Sequence, residues 1–379
     1  MPFRKMSHLK SKRGHLSTKR MLGLGVLLSS IAVGSVLVFS RWSATPSTFL
    51  GAASENQSAR QDVRFLGSCD ASGAVPLSEH TFVLADDEDN VLRVYDADRG
   101  GFPLHTIDVS EKVGIEPKLR KKGKPRPPRE ADLEAATGVG SLAFWISSHG
   151  RKKSGKVQPE RFRFFATTHP SYGRSTELVG RVREDLLDHL LEDPRMTPFD
   201  LKHAMQQPAG SPHGLNVEGM TAREEGGVFI GLRSPTPDKL ALILTLDNPE
   251  GVVRGENPQF GPPRTLNLGG LGVRGLSSWR GRYLIIAGGH AGQHESRLYS
   301  WSGNDSAPTL LPPRFRDFNP EAFFTPETRD TILLLSDDGE RLHDGKRCKD
   351  LDDSNEKSFR GRWYQLPPPS FSAKAQTAG

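Results

Sequence analysis

The chain alternates short apolar runs with polar and glycine-rich turns, and one such unit recurs five times. Each copy has a polar start, a short strand, a turn and a more apolar strand. The residue after the apolar run lies 16 positions after the start in the first four copies and 17 positions after it in the fifth. The copies start at Asp70, Asp132, Asn216, Gly272 and Asn319. Nearly constant offsets favour radial repetition over a β-sandwich.

Each copy is followed by segments that complete a four-stranded unit. Alternating runs predict third strands at 91–95, 161–165, 239–245, 297–301 and 340–343. Further runs predict fourth strands at 105–109, 177–181, 264–268, 309–311 and 359–366. The pattern predicts an all-β fold, a β-propeller with five visible blades, and leaves a sixth blade open. Apolar positions on one helical face between Val182 and Leu191 predict a short helical insertion.

Composition supports a turn-rich fold and limits the chemistry. The 39 glycines and 28 prolines suit many tight turns, and two cysteines exclude a disulfide-framework fold and any Cys-rich metal module. Cys69 precedes the first inner strand, and Cys348 follows a predicted outer strand of the last copy. First and last blades are neighbours in a propeller, so a disulfide that helps to close the ring and a pair of free thiols both stay open.

The net charge of +6 comes from the N-terminus, because residues 1–41 hold eight Lys and Arg and no acidic residue. This distribution argues against nucleic-acid binding. Residues 21–40 are uncharged and apolar, about 30 Å long as a helix, which predicts a transmembrane signal-anchor. The positive flank predicts a cytoplasmic N-terminus and an exported body. The alternative is a signal peptide that is cleaved near residues 51–53.

The predicted organisation follows from these segments. It consists of a basic cytoplasmic arm (1–20), the transmembrane or signal segment (21–40), a flexible linker (41–62), the propeller (63–366) and a disordered tail (367–379). We expect a single-pass protein of the bacterial inner membrane, held in the membrane by residues 21–40, with its body in the periplasm or outside the cell. After cleavage the body would be secreted.

Inner strands of a propeller converge on its axis, so equivalent repeat positions form a ring. The second position after each start is Ser72, Glu134, Glu218, Arg274 and Glu321. Buried like charges repel, so this ring needs compensation. A bound Ca²⁺ or Mg²⁺ would supply it, and ion pairs with Arg274 are the alternative. The predicted metal ligands are Glu134, Glu218, Glu321, Asp70, Asp132, Asn216 and Asn319.

A second ring follows the second strands and contains residues 86–88, His149, Arg233, His290 and residues 337–338. The predicted catalytic residues are His149, as an acid–base group, and Arg274, facing an anionic group of a ligand. Hydrogen-bonded turns are the simpler interpretation of the second ring. Basic stretches at 118–129 and 151–163 predict a positive rim that gathers an anionic small molecule, with solvated loops as the alternative.

Several segments resemble an uncharacterised bacterial domain family with a propeller-like repeat. The resemblance runs from about Asp70 to Asp350 and includes residues 85–95, 130–136, 145–156, 163–166, 215–219 and 336–339. The inner strands with Glu-Gly, as in residues 215–219, are also similar to esterase-like phytase propellers. That similarity implies calcium-dependent phosphoester hydrolysis, although Ser72 and Arg274 depart from an all-acidic ring.

Two functional hypotheses therefore lead, with a cell-envelope scaffold as the third. The first is a metal-dependent, calcium-type phosphoester hydrolase that acts on an anionic substrate at the propeller axis. The second is a non-catalytic propeller that binds a ligand or a protein partner in the cell envelope. Propellers host enzymes and binding proteins alike, so the predicted fold does not decide between them.

Overall fold

A computed structural model describes residues 62–117, 127–170, 176–290 and 295–366. The predicted basic arm, membrane segment, tail and nearly all of the linker lie outside these residues, as does the basic stretch 118–126. Among the described residues, no helix combines the length and the apolar composition needed to cross a membrane.

The described residues form five four-stranded antiparallel sheets, which are the blades of a β-propeller. The first strand, β1 (Val63–Leu66), belongs to the last blade. Blade 1 contains β2 (Gly73–Pro76), β3 (Thr81–Ala85), β4 (Val91–Asp96) and β5 (His105–Asp108). Blade 2 contains β6 (Leu133–Val139), β7 (Leu142–Ser147), β8 (Phe164–Thr168) and β9 (Leu178–Arg183).

The remaining blades follow in chain order. Blade 3 contains β10 (Asn216–Ala222), β11 (Val228–Ser234), β12 (Ala241–Leu246) and β13 (Arg264–Leu266). Blade 4 contains β14 (Gly272–Trp279), β15 (Arg282–Gly288), β16 (Ser296–Trp301) and β17 (Thr309–Arg314). Blade 5 begins with β18 (Pro320–Phe324) and β19 (Thr331–Ser336), and a two-stranded ribbon follows, β20 (Leu342–His343) with β21 (Lys346–Arg347). Its third strand is β22 (Ser358–Gln365), and β1 pairs with β22 at the outer edge.

The predicted inner strands and five-fold repeat are confirmed, and the described residues contain five blades. The predicted third strand at 340–343 of the last copy is wrong, because those residues lie in and beside the β20–β21 ribbon. Residues 359–366, predicted as a fourth strand, supply the third strand instead. The strand that completes this blade is β1, which pairs along its whole length with residues 358–361.

The part of the chain that the structure describes contains three short α-helices: α1 (Leu186–Glu192), α2 (Leu201–Ala204) and α3 (Pro249–Arg254). The predicted helical insertion is thus found, but it starts later than expected because residues up to Arg183 continue β9. Buried leucines of α1 and α2 extend the apolar layer between blades 2 and 3. The insertion therefore covers one blade interface.

Five apolar clusters fill the spaces between neighbouring blades, one for each pair. The cluster between blades 5 and 1 contains Phe65 of β1, which stacks on Phe359 of β22 at a centroid distance of 4.9 Å. A fully packed interface between last and first blade shows that the ring is closed.

A disulfide between Cys69 and Cys348 adds a covalent link at the same interface. Both cysteines are buried, with Leu351 against them. The backbone N–H of Asp338 donates a hydrogen bond to the carbonyl of Cys69 at 2.9 Å. The disulfide thus fixes the segment before blade 1 against the loop that follows β19, and both segments continue into the axial site.

Candidate functional site

A β-bulge interrupts the inner strand of four blades at the predicted ring position. The pairing of inner and second strands skips one residue at Glu134, Glu218, Arg274 and Glu321. A bulged residue leaves the ladder and re-aims its side chain. The repeat therefore supplies both the residue at this position and the backbone irregularity there.

The residue after each ring position is small: Gly73, Ala135, Gly219, Gly275 or Ala322. A Cβ added at Gly275 would lie 2.2 Å from the carbonyl oxygen of Glu321. Such a contact cannot form without a backbone shift, so the inner strands of blades 4 and 5 approach closely because position 275 is glycine. Small residues here let the ring contract around the axis.

The ring opens into a cleft of about 840 Å³. Seven carboxylates that line it form the axial acidic cluster, and the cluster divides into three overlapping triads whose nearest ligand atoms lie within 4.8 Å of one another. These are the blade-2 triad (Asp87, Asp132, Glu134), the central triad (Glu134, Glu218, Glu321) and the blade-5 triad (Asp70, Glu321, Asp337). The structure thus brings together the five acidic residues that the sequence predicts as metal ligands.

Asp87 and Asp337 were predicted in the second ring, not among the metal ligands. Both occupy the same repeat position, 17 or 18 residues after the copy start, where blade 3 carries Arg233. The constant offset was therefore the signal that these residues share a location. Sequence alone did not show that the loops after the second strands fold back over the axis.

Three arginines reach the axial acidic cluster. Arg161 Nη2 lies 2.8 Å from Asp132 Oδ1, and Arg233 Nη1 lies 2.7 Å from Glu218 Oε1. Arg274 Nη2 lies 2.6 Å from Glu321 Oε2 and 2.8 Å from an oxygen of Asp337. Three guanidinium groups therefore face seven carboxylates.

The arginines pair with some carboxylates of the axial acidic cluster and not with others. Among the residues that the structure describes, no arginine, lysine or histidine forms an ion pair with Asp70, Asp87 or Glu134. Four buried carboxylate oxygens of the cluster also have no hydrogen-bond partner there: Oδ1 of Asp70, Oδ1 of Asp87, Oδ2 of Asp132 and Oε2 of Glu218. Buried charges without partners are costly, so this part of the site calls for a further cation or for protons.

The pKa directions agree with a surplus of negative charge. Burial raises the pKa of Glu134 well above its ordinary value, and Asp132 and Glu218 raise it further. Burial also raises the pKa of Asp132 to about 6, although Arg161 partly opposes the shift. The pKa of Glu321 rises to about 8 through burial, against the opposing charge of Arg274. Without a bound cation, several of these groups are protonated near neutral pH.

Asp337 behaves differently. Burial would raise the pKa of its carboxyl group, but Arg274 and the backbone N–H of Gly339 outweigh that effect and lower the pKa. The blade-5 triad therefore already contains one carboxylate that is stabilised in its charged form by protein groups.

The amides predicted as ligands lie beside the cluster and are engaged with it. Asn216 Nδ2 donates to Glu218 Oε1 at 2.6 Å, while its buried Oδ1 has no described partner. Asn319 accepts from Arg274 Nη1 at 2.5 Å and donates to Asp337 Oδ2 at 3.0 Å. Asn216 Oδ1 is thus available to a ligand, whereas Asn319 is held within the protein's own network.

The structure places the two predicted catalytic residues differently: Arg274 lines the cleft and His149 does not. His149 is buried and is not among the residues that line the cleft. Its Nδ1 lies 2.8 Å from the carbonyl oxygen of Ser147, and burial lowers its pKa to about 4, so the ring is neutral. Arg274 is only 6% exposed and is engaged by Glu321, Asp337 and Asn319.

Cations form the rim of the cleft above the acidic floor. They are Arg151, Lys152, Lys153, Arg316, Arg341, Lys349 and Arg360. Lys152 pairs with Glu130, and Arg360 pairs with Asp338. The described residues show no acidic partner for the side chains of Lys153, Arg316 and Arg341. The cleft therefore has acidic residues at its bottom and cationic side chains without acidic partners at its mouth.

Comparison with known proteins gives little functional information. No curated protein matches the chain. Solved structures that resemble it include glutaminyl cyclase from Myxococcus xanthus (7% identity, 82% of this chain and 97% of that one, TM-score 0.45). The PQQ-bound aldose sugar dehydrogenase from Streptomyces coelicolor shows 11% identity over 81% of this chain and 97% of that one, with a TM-score of 0.40. Scores this low carry no argument about this chain.

A family model matches the middle of the chain. Residues 165–310, from within β8 to within β17, match the family described as "Protein of unknown function (DUF3616)". The matched part covers three of the five blades in whole or in part. The predicted resemblance to an uncharacterised family with a propeller-like repeat is thereby confirmed over this part of the chain.

Proposed function

We propose that the chain is a divalent-cation-dependent hydrolase of anionic esters, with phosphoesters as the best candidates, and that its reaction centre is the axial cleft. The observation that carries the proposal is the excess of seven clustered carboxylates over three arginines. Carboxylate and amide oxygens are the ligands that hard cations prefer.

The blade-2 triad is the best place for the cation. Asp87 and Glu134 have no described cationic partner, and Asp132 keeps one buried oxygen unpaired. Opposite ligands of Ca²⁺ lie about 5 Å apart, since each Ca–O bond is about 2.3–2.6 Å. The triad's ligand atoms, which lie within 4.8 Å of one another, fit that size. Ca²⁺ is therefore the first ion to test, and Mg²⁺ the second.

A divalent cation held there would polarise an ester oxygen and neutralise charge that develops during hydrolysis. The protein's own groups would do the rest. Lys153, Arg316 and Arg341 at the mouth would attract and orient an anionic substrate. Glu321, which lies outside the blade-2 triad and whose pKa is raised to about 8, would be able to accept or donate a proton near neutral pH.

A non-catalytic binding propeller is the second candidate, and one observation favours it. No histidine lines the cleft among the described residues, so the usual acid–base residue of hydrolases is missing from its wall. A binding centre needs no such group. The same cation and the same basic rim would then hold an anionic ligand or an envelope partner without turnover.

We also propose that the body works outside the cytoplasm. The Cys69–Cys348 disulfide supports this location, because structural disulfides persist in oxidising compartments. Cell fractionation with an antibody against the body tests it. Recovery in the cytoplasmic fraction, with reduced cysteines, contradicts it.

The activity test uses the full-length protein after dialysis against EDTA. We expect hydrolysis of chromogenic phosphate mono- or diesters only after Ca²⁺ is restored, and little activity on carboxylate esters. Glu134→Gln should lower metal-dependent turnover by about a hundredfold, since a ligand and a charge are lost. Glu340→Gln is the matched control, because Glu340 lines the same cleft outside the three triads.

The outcomes separate the candidates. Bound Ca²⁺ without turnover of any ester supports the binding propeller. Metal analysis that finds no bound cation, with thermal stability unchanged by EDTA, contradicts both candidates in their present form. Equal losses in Glu134→Gln and Glu340→Gln would contradict the assignment of the blade-2 triad.

A further inference from the structure

Arg274 lies at a position of the repeat that is glutamate in three of the other four copies and Ser72 in the first. It is the bulged residue of blade 4, at the same place in the strand register as Glu134, Glu218 and Glu321. The bulge therefore aims a cation, not a carboxylate, at the axis. The fold has placed a charge of opposite sign in a ring of acids.

The guanidinium group of Arg274 contacts the oxygens of one triad in particular. Its Nη2 donates to Glu321 Oε2 at 2.6 Å and to Asp337 Oδ2 at 2.8 Å. Its Nε lies 3.9 Å from Glu218 Oε2. Two of the three members of the blade-5 triad are thus bonded to the same cation.

Neighbouring residues leave room for the Arg274 side chain and hold it in place. A Cβ added at Gly288 of the neighbouring strand would lie 3.0 Å from Arg274 Cδ, so a glycine there leaves room for the side chain. Asn319 accepts a hydrogen bond from Nη1 and completes the fixed set of partners. The residue is only 6% exposed, so these partners hold its side chain in one position.

The blade-2 triad has no comparable cation. Of the three carboxylates of this triad, Arg161 pairs only with Asp132, and it also pairs with Glu130 outside the triad. Oδ2 of Asp132 is buried and has no described hydrogen-bond partner. Asn216 Oδ1, 6% exposed for the residue as a whole, lines the same cleft and also lacks a partner.

The two ends of the axial acidic cluster therefore differ in degree. At the blade-5 triad one arginine bonds two of the three carboxylates, and only Asp70, with Oδ1 unpartnered, lacks a described cation. At the blade-2 triad both Asp87 and Glu134 lack one.

We propose that Arg274 takes the place of a second divalent cation, so that the axial cleft holds one ion, at the blade-2 triad. This inference rests on the cation of the proposed function and assigns its number and its place. The blade-5 triad becomes an ion site only when the guanidinium group is removed. Arg274 is thus a positioning residue that determines metal stoichiometry.

The test is a calcium titration of the full-length protein by calorimetry, with elemental analysis after desalting. We expect one Ca²⁺ per chain for the wild type and for Arg274→Lys, which keeps the charge. Arg274→Gln should bind two, and its thermal stability should depend on Ca²⁺ more strongly than that of the wild type. Arg360→Gln is the matched control, because Arg360 lines the cleft but pairs with Asp338, outside the triads.

Each result decides something. Two ions in the wild type, or one ion of unchanged affinity in Arg274→Gln, overturns the inference and leaves the proposed function standing. Failure of saturating Ca²⁺ to restore folding of Arg274→Gln also overturns it, because an ion then cannot replace the guanidinium group. No ion in the wild type defeats the proposed cation itself. A gain of a second site in Arg360→Gln would show that any lost cleft cation has this effect, which contradicts a specific role for Arg274.

Discussion

Loss of the Cys69–Cys348 disulfide should destabilise the propeller mainly through the unfolded chain. The two cysteines are 279 residues apart in sequence. A cross-link of that span limits the conformations of the unfolded chain, and the chain-entropy relation gives about 5–6 kcal/mol at 25 °C. We take this as the upper value, since residual structure in the unfolded state reduces it.

The folded ring should survive the loss. The pairing of β1 with β22 and the aromatic contacts of Phe65 close the ring without the disulfide. Alanine at both positions leaves a small cavity beside Leu351, which adds a lesser cost. The double variant Cys69→Ala/Cys348→Ala should therefore fold, with a lower free energy of unfolding.

Urea unfolding followed by tryptophan fluorescence is the assay. We expect a lower midpoint and a steeper dependence on urea, because an unlinked unfolded chain exposes more surface. Reduced wild-type protein should reproduce the behaviour of the double variant. Equal midpoints for the oxidised wild type and the double variant would refute this account of ring closure.

Two further predictions concern charge and packing. In EDTA, the protein should be more stable at pH 5 than at pH 8.5. The folded pKa values of Asp132 (about 6) and Glu321 (about 8) lie above their ordinary values, so their contribution is complete below about pH 4 and is lost as the pH rises through 6 and 8. Melting temperatures that rise from pH 5 to 8.5 would contradict the burial of these acids. Phe65→Ala should lower the free energy of unfolding by about 3–5 kcal/mol, because it removes a fully buried ring from the interface of blades 5 and 1. If urea unfolding shows a change below about 1 kcal/mol, β1 contributes little to closure of the ring.

Much of the fold could be predicted because each repeat shows the same local pattern of apolar runs and turns. The apolar runs and their constant offsets gave the inner strands, and the offset also grouped Glu134, Glu218 and Glu321. Blade 5 was predicted less well for a physical reason. The segment at Val63–Leu66 has the pattern of any short strand, and only its tertiary partner, β22, shows that it completes the last blade.

The candidate site was predicted in kind but not in detail. The sequence pattern groups the acidic residues. Which of their charges are paired with a cation depends on where three arginine side chains lie in the folded protein. His149 shows the same limit. The sequence predicted an acid–base group in a loop, but the structure buries the ring, whose Nδ1 lies 2.8 Å from the carbonyl oxygen of Ser147. Which side chains are buried and which partners they contact depends on packing between different repeats, which the sequence of one repeat does not show.

The position of β1 also has a consequence for how the molecule is made. This strand leaves the ribosome before any other described strand, whereas its partner β22 is the last to appear. Until then the nascent chain carries an unmated strand, and a finished chain that has lost β1 presents a bare sheet edge. Two molecules that meet at that stage can exchange β1 segments, so crowded synthesis should yield swapped dimers, whereas trimming past Leu66 removes the strand that is exchanged.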